Sequence, residues 1–356
     1  MGKSVVFAVA GSGKTRMLIE SLSLDRNHLI LTFTDNNLAN LRSRVMQKFG
    51  YVPHNIRLAT YFSFLNSFCY RPLFAMAMKT RGFNWDAPPA RTLKFSRDSD
   101  NYYVDGARRM YYGRLALFLE KRNAIPDIVA RVDKYFDSLM VDEVQDFAGH
   151  DFNFLSAVAS ASGVDVLLVG DFYQHTFDTS RDGATNKSLH DDYARYRNRF
   201  RELGIAIDDK SLVKSHRCAP AVCGFVKAQL GIEMEAHGDH EALVEMVCEQ
   251  ARADELFADG ATVKLFYSES SKYECHSLNW GGSKGLDHFK DVCVVLPDNV
   301  SKAYKKGNLT TLPASTRNKL YAACTRANRH LYLVPGALLK QYKTPIPNRS
   351  SEWAQT

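Results

Sequence analysis

The chain has 356 residues, of which 45% are hydrophobic and 24% charged, enough for two domains with their own cores. No apolar run reaches the ~18 residues that would suggest a membrane span, and no fixed-period repeat or low-complexity tract points to a solenoid or a disordered chain. The net charge of +7 is unevenly spread. From Ser301 onward ten Lys/Arg face one acid, Glu352, whereas Glu233–Asp259 holds nine acids and one Arg. A basic end of this kind suits phosphates, although two solvated surfaces would look the same. The seven cysteines are scattered without metal-ligand spacing, as expected of a reduced, cytoplasmic protein. The apolar stretch near the N-terminus runs into Gly-Ser-Gly-Lys-Thr with no cleavage-site pattern, which argues against a secretory signal.

The first strand is predicted at Val5–Val9. It enters Ala8-Val9-Ala10-Gly11-Ser12-Gly13-Lys14-Thr15, and helical character resumes at Arg16–Ile19. Strand, glycine loop and helix in this order form the phosphate-loop pattern, with Ala8 where a first glycine is usual. Gly11 and Gly13 let backbone amides close around an anion without a Cβ in the way, and the following helix start favours negative charge. Lys14 supplies a mobile cation for terminal phosphates, and Thr15 offers a hydroxyl to Mg²⁺.

Strands are next predicted at Leu29–Phe33 and Ile56–Ala59, with helical stretches at Leu38–Phe49 and Ala107–Lys121. The strand Leu139–Val141 delivers Asp142-Glu143-Val144-Gln145-Asp146. Asp142 is placed to hold Mg²⁺ through its water shell, and Glu143 to polarise an attacking water. The strand Val164–Val169 ends in Gly170-Asp171-Phe172-Tyr173-Gln174, where the Gln174 amide can report a terminal phosphate. A charged helical run, Leu189–Glu202, leads into Gly204, and a domain boundary is placed near residue 205. Beyond it come strands at Val263–Phe266, Val292–Leu296 and Leu331–Val334, with helical stretches at Ala219–Leu230 and Thr316–Asn328. Alternating strands and helices predict an α/β fold with parallel sheets covered on both faces, and ligands at the carboxyl ends of the strands.

Taken together, these motifs resemble those of superfamily 1 helicases of the UvrD/Rep type. Ala10–Thr15 matches the phosphate loop of that family, Asp142–Asp146 its DExQD motif and Gly170–Gln174 its GDxxQ motif. Thr32-Phe33-Thr34, Thr60-Tyr61-Phe62-Ser63, Ser215-His216-Arg217, Ser283–Asp287 and Tyr321–Ala327 are similar to further motifs, in family order. The resemblance implies two RecA-like P-loop lobes, residues 1–204 with a small helical insertion at about 65–130, and residues 205–356. It implies ATP as substrate, clamped between the lobes with Mg²⁺, and single-stranded nucleic acid as the track, DNA favoured over RNA, in the 3′ to 5′ direction. By the same resemblance Arg217 and Arg326 reach the γ-phosphate, Arg16 lies near the adenine and Asp287 near the ribose. Thr32, Phe33, Thr34, Thr60, Tyr61 and Phe62 form the nucleic-acid surface of the first lobe. From the residues alone, Phe33 and Tyr61 also read as core, and Trp280 reads equally as a base-stacking or a core residue.

The chain departs from the family pattern in three places. Only seven residues precede Ala8, which leaves no room for the adenine-reading segment and predicts weak selectivity among nucleotides. The interval between Arg217 and Lys284 is too short for the large accessory domain. Gly281 stands where a His is usual. A motor reduced in this way is expected to unwind poorly alone and to work with a protein partner such as a nuclease. Arg91, Lys94, Arg97, Arg108 and Arg109 either flank a strand-binding channel or form a solvated helix face. Two alternatives stay open: an RNA-directed motor, and a nucleotide-gated switch subunit of a larger complex.

Overall fold

A computed structural model describes residues 2–176 and 183–344. The chain divides into two compact units, Met1–Val213 and Lys214–Thr356.

The first unit is built on a six-stranded sheet: β1 (Lys3–Phe7), β2 (His28–Thr32), β3 (Ile56–Thr60), β4 (Ser138–Val141), β5 (Asp165–Gly170) and β6 (Ala206–Asp208). The spatial order is β3-β2-β4-β5-β1-β6, and every pair is parallel. Side chains alternate between two cores with the period of a strand. Val5, Phe7, Leu29, Leu31, Leu139, Val141, Val166 and Leu168 face one core, which includes the helices Leu115–Lys121, Ile125–Tyr135 and Gly149–Ala159. Val6, Ile30, Met140 and Val169 face the other, against α1 (Lys14–Glu20) and α2 (Asp35–Phe49). A sheet covered on both faces explains why its strands read as near-continuous apolar runs.

The second unit has a parallel five-stranded sheet of β7 (Val244–Met246), β8 (Val263–Phe266), β9 (Ser277–Asn279), β10 (Val292–Leu296) and β11 (Leu331–Pro335), in the order β7-β11-β10-β8-β9. The two units are therefore α/β with parallel sheets, as the strand and helix pattern predicts and as RecA-like lobes require.

Several sequence expectations shift. β6 pairs with β1, so residues beyond 205 still belong to the first unit. Within the insertion, the helix expected over Ala107–Lys121 begins only at Leu115. The Asp105 carboxylate accepts from the Ala107 and Arg109 amides at 3.0 and 2.8 Å, and Arg108 takes a left-handed φ of 61°. That local turn competes successfully with the helix. The last helix ends at Cys324 rather than Asn328. Trp280 is fully buried, with its indole N–H donating to the Leu265 carbonyl at 2.9 Å, so it is a core residue and not a stacking platform. Part of the basic C-terminal segment, including Arg349, lies outside the described residues. Among the described residues no helix is long and apolar enough to cross a membrane.

One buried polar group crosses this core. His28 accepts the Ser23 amide on Nε2 at 3.1 Å, which leaves Nδ1 to donate to the Ser138 hydroxyl at 2.6 Å. The ring is therefore held neutral, and burial depresses its basicity. A histidine with a lowered folded pKa adds stability above its unfolded pKa of ~6.5 and loses that contribution as the pH falls. Denaturant stability is expected to decline between pH 7 and pH 5.5, and less steeply in His28→Gln; identical slopes in the two proteins would refute the assignment.

Candidate functional site

The parallel strands of the first sheet bring most of the sequence-marked residues to one edge. The loop after β1 is held from both sides, because Ala8 N–H donates to the Gly170 carbonyl at 2.9 Å and Val9 N–H to the Leu212 carbonyl at 3.0 Å. The Ser12 hydroxyl turns inward to the Val9 carbonyl at 2.8 Å. Gly11 and Gly13 adopt left-handed φ angles of 73° and 92°, conformations that a Cβ would strain. This geometry delivers Lys14 and Thr15 at the start of α1. Ala10, Ser12 and Lys14 are buried.

Across β5, the loop after β4 supplies the carboxylates. The Thr15 hydroxyl donates to Asp142 Oδ2 at 3.1 Å. Asp142 is 3% exposed, and burial together with the neighbouring Glu143 charge raises its pKa, against the pull of Lys14 and Thr15. A buried carboxylate in this condition is stabilised as the anion by an added cation. Glu143 stands in the left-handed region at φ 59°, an unfavourable conformation for a non-glycine residue.

Gln145, to which the sequence reading gave no role, joins this loop to the next. Its amide nitrogen donates to Glu143 Oε2, and its amide oxygen accepts the Asp171 N–H at 3.0 Å. Its backbone carbonyl bonds His175 Nδ1 at 2.8 Å. Gly170 permits this close approach, since a Cβ there would meet Gln145 Oε1 and would come within 2.8 Å of Val144 Cγ1. Gln174 is buried in the short turn that Asp171 caps. The only sequence clue to Gln145 was its place in the acidic motif.

A hydroxyl and a carboxylate are hard oxygen donors suited to Mg²⁺, which is usually held by one or two carboxylates together with substrate phosphates and water. Thr15 and Asp142 fit that donor set. Among the described residues no cluster of three or more His, Cys, Asp or Glu is placed to hold a metal ion.

The nucleic-acid candidates divide by burial. Thr32 is fully buried and its hydroxyl has no hydrogen-bond partner among the described residues. Tyr61 is 4% exposed, donates to Asp151 at 3.1 Å and packs on Phe147. Both are core in this structure, as is Thr60, whose hydroxyl is committed to Ser63. Phe33, Thr34 and Phe62 are half-buried; Thr34 caps α2 by accepting the Asn37 amide at 3.2 Å. Phe62 packs on Trp85 with ring centroids 4.7 Å apart. Of the basic residues in the insertion, Arg108 turns back to the Met78 carbonyl and Arg109 pairs with Asp105 at 2.8 Å. Arg91, Lys94 and Arg97 are exposed. Arg16 is also exposed and pairs with Glu20 at 2.6 Å.

In the second unit, Arg217 and Arg326 converge on one carboxylate. Asp287 Oδ1 lies 2.5 Å from Arg217 Nη2 and 3.2 Å from Arg326 Nη1. Arg217 also donates to the Thr325 carbonyl at 3.2 Å, and Arg326 to the Ala322 and Leu286 carbonyls at 3.0 and 3.2 Å. Arg326 is 1% exposed, and burial plus the adjacent Arg217 charge push its pKa down to about 10. The carboxylate assigned to a ribose from sequence here holds two guanidiniums in place.

No family model matches the chain, and no curated protein matches it. Among solved structures, the chain is similar to an arterivirus nonstructural protein 10 (helicase) in complex with DNA, at 16% identity and a TM-score of 0.47, over 95% of this chain and 63% of that one. It is also similar to the PRRSV helicase, at 13% identity and a TM-score of 0.47, over 97% of this chain and 54% of that one. An arterivirus nonstructural protein 10 structure described without DNA gives 15% identity and a TM-score of 0.46, over 95% and 62%. The chain thus spans less than two thirds of the length of each.

Gly170→Ala is expected to destabilise the first unit by about 2–3 kcal/mol, the cost of forcing volume into a packed site; unchanged denaturant unfolding would contradict the packing described. Asp287→Ala leaves two guanidiniums without their shared acceptor and is expected to cost the second unit about 1.5–3 kcal/mol, the range for hydrogen bonds to charged groups. Sulfate should recover part of that loss, and a melting curve matching wild type would show that the carboxylate does not organise the pair.

Proposed function

We propose that this chain is a nucleoside-triphosphate-hydrolysing motor of the helicase type that moves along single-stranded nucleic acid, DNA favoured over RNA. The observation that carries the proposal is the group formed by Lys14, Thr15, Asp142 and Glu143 at the carboxyl ends of β1 and β4, within one unit. In this reading, the amides of Gly11–Thr15 and the Lys14 ammonium bind the β- and γ-phosphate oxygens. Thr15 and Asp142 would hold Mg²⁺, which would supply positive charge to the phosphate. Glu143 accepts a proton from the attacking water, and Gln145 fixes the carboxylate that does so. Gln174 reads the state of the terminal phosphate. Arg217 and Arg326 bring charge that stays positive through the reaction and grips phosphate in two places. The residues assigned to the strand are Phe33, Thr34 and Phe62, whose accessible aromatic and hydroxyl groups contact bases and phosphates without reading sequence.

The competing reading is a nucleotide-gated switch, which binds and hydrolyses nucleotide without a track. Steady-state hydrolysis by wild type and Lys14→Ala, measured with single-stranded DNA, duplex DNA and RNA, separates the two. A motor should be stimulated strongly by one single strand, and Lys14→Ala should lower turnover by about 100-fold or more, the loss typical of removing a transition-state contact. Hydrolysis indifferent to every nucleic acid would favour the switch, and full activity in Lys14→Ala would remove the hydrolytic site from this loop.

A further inference from the structure

The first unit carries a cavity of about 330 Å³ at the opposite edge of the sheet from Lys14. It opens where β2 and β3 begin, and Asn27, His54, Arg57, Phe68, Arg131 and Tyr135 are among its lining residues. No acidic residue lines it. The Arg131 guanidinium lies 4.8 Å from the centre of the Phe68 ring and 5.7 Å from that of Tyr135, and Arg57 lies 5.9 Å from Phe68. Neither arginine has an ion-pair partner among the described residues, and Arg131 Nε is sealed from solvent with no hydrogen-bond acceptor. Two acids nearby in sequence are engaged elsewhere: Asp133 accepts the Gly163 amide at 2.9 Å, and Asp137 the Asn27 amide at 2.7 Å. Phe68 sits on a π-helical turn, Leu65–Tyr70, an irregularity that often marks a functional position.

Two cationic side chains held against aromatic rings, with a sealed donor and no counter-charge, call for an acceptor from outside the chain. Guanidiniums bind oxyanions through paired hydrogen bonds and stack on planar groups. Tyr135, 48% exposed, provides an apolar surface beside them, with the buried Phe68 ring at the cavity wall. The volume lies at the lower end of small-ligand sites. We propose that this cavity binds a nucleoside monophosphate, with its phosphate on Arg57 and Arg131 and its base against the aromatic rings. Lacking carboxylates, the site needs no metal, which sets it apart from the Lys14 loop. The proposal does not depend on the motor reading.

Equilibrium dialysis with radiolabelled AMP in the presence of EDTA tests it, using wild type, Lys14→Ala and Arg57→Gln/Arg131→Gln. The expected result is one saturable site, retained in Lys14→Ala and weakened at least about tenfold in the double variant. Inorganic phosphate and free adenosine, added as competitors, should each displace AMP at least about tenfold less well than unlabelled AMP. No binding up to millimolar AMP would overturn the proposal, as would binding lost in Lys14→Ala but kept in the double variant. Phosphate competing as well as AMP would overturn the part played by the rings. Thermal melting identifies a misfolded double variant, in which case Arg57→Gln alone, altering an exposed side chain, carries the test with the same outcomes.

Discussion

The hydrogen bond from the Thr15 hydroxyl to the Asp142 carboxylate, 3.1 Å long, joins two loops that are 127 residues apart in sequence. It is possible only because β1 and β4 run parallel on either side of β5. Parallel strands direct all their outgoing loops to the same edge. Had any of these strands been reversed, its polar terminus would have appeared at the far edge. The candidate nucleotide chemistry thus depends on strand direction before it depends on any single side chain.

Around that bond, charge is deliberately unbalanced. In the first unit one ammonium, Lys14, faces two adjacent carboxylates, Asp142 and Glu143, and burial makes the excess negative charge costly. In the second unit two guanidiniums share the single carboxylate of Asp287, and burial makes the excess positive charge costly. An isolated buried charge is among the most expensive features of a folded protein. The first group is relieved by a cation and the second by an anion.

How much of this was legible in the sequence varies with the physics involved. All eight predicted strands are present, because a sheet buried on both faces demands apolar runs. The phosphate loop was legible because Gly11 and Gly13 mark left-handed backbone that other residues avoid. The short edge strand β6 was missed, since three half-exposed or exposed residues carry no such run. Residues 107–114 defeated helix prediction because the Asp105 side chain takes the backbone amides a helix would need. Tyr61 read as core from the residues alone and as a nucleic-acid contact only through the family resemblance, since an aromatic residue at a strand end can serve either; it is buried. The role of Asp287 was invisible for a different reason. Its partners, Arg217 and Arg326, lie 70 and 39 residues away, and no local pattern announces a contact at that distance.

Gln145 shows what binds these pieces into a mechanism. Glu143 occupies a left-handed backbone conformation, which other interactions must maintain. Gln145 holds the Glu143 side chain with one end of its amide and the Asp171 N–H with the other. Gly170, lacking a Cβ, lets the amide lie flat against the end of β5. The carboxylate proposed to receive a proton is therefore tethered to the same loop that presents Gln174. In the proposed reading, a shift in that loop on binding or loss of a phosphate acts on Glu143 through two hydrogen bonds and one side chain. A neutral amide suits this position better than a carboxylate or a lysine. It donates and accepts at once, and it adds no charge to a group whose electrostatic balance is already set by Lys14, Asp142 and Glu143.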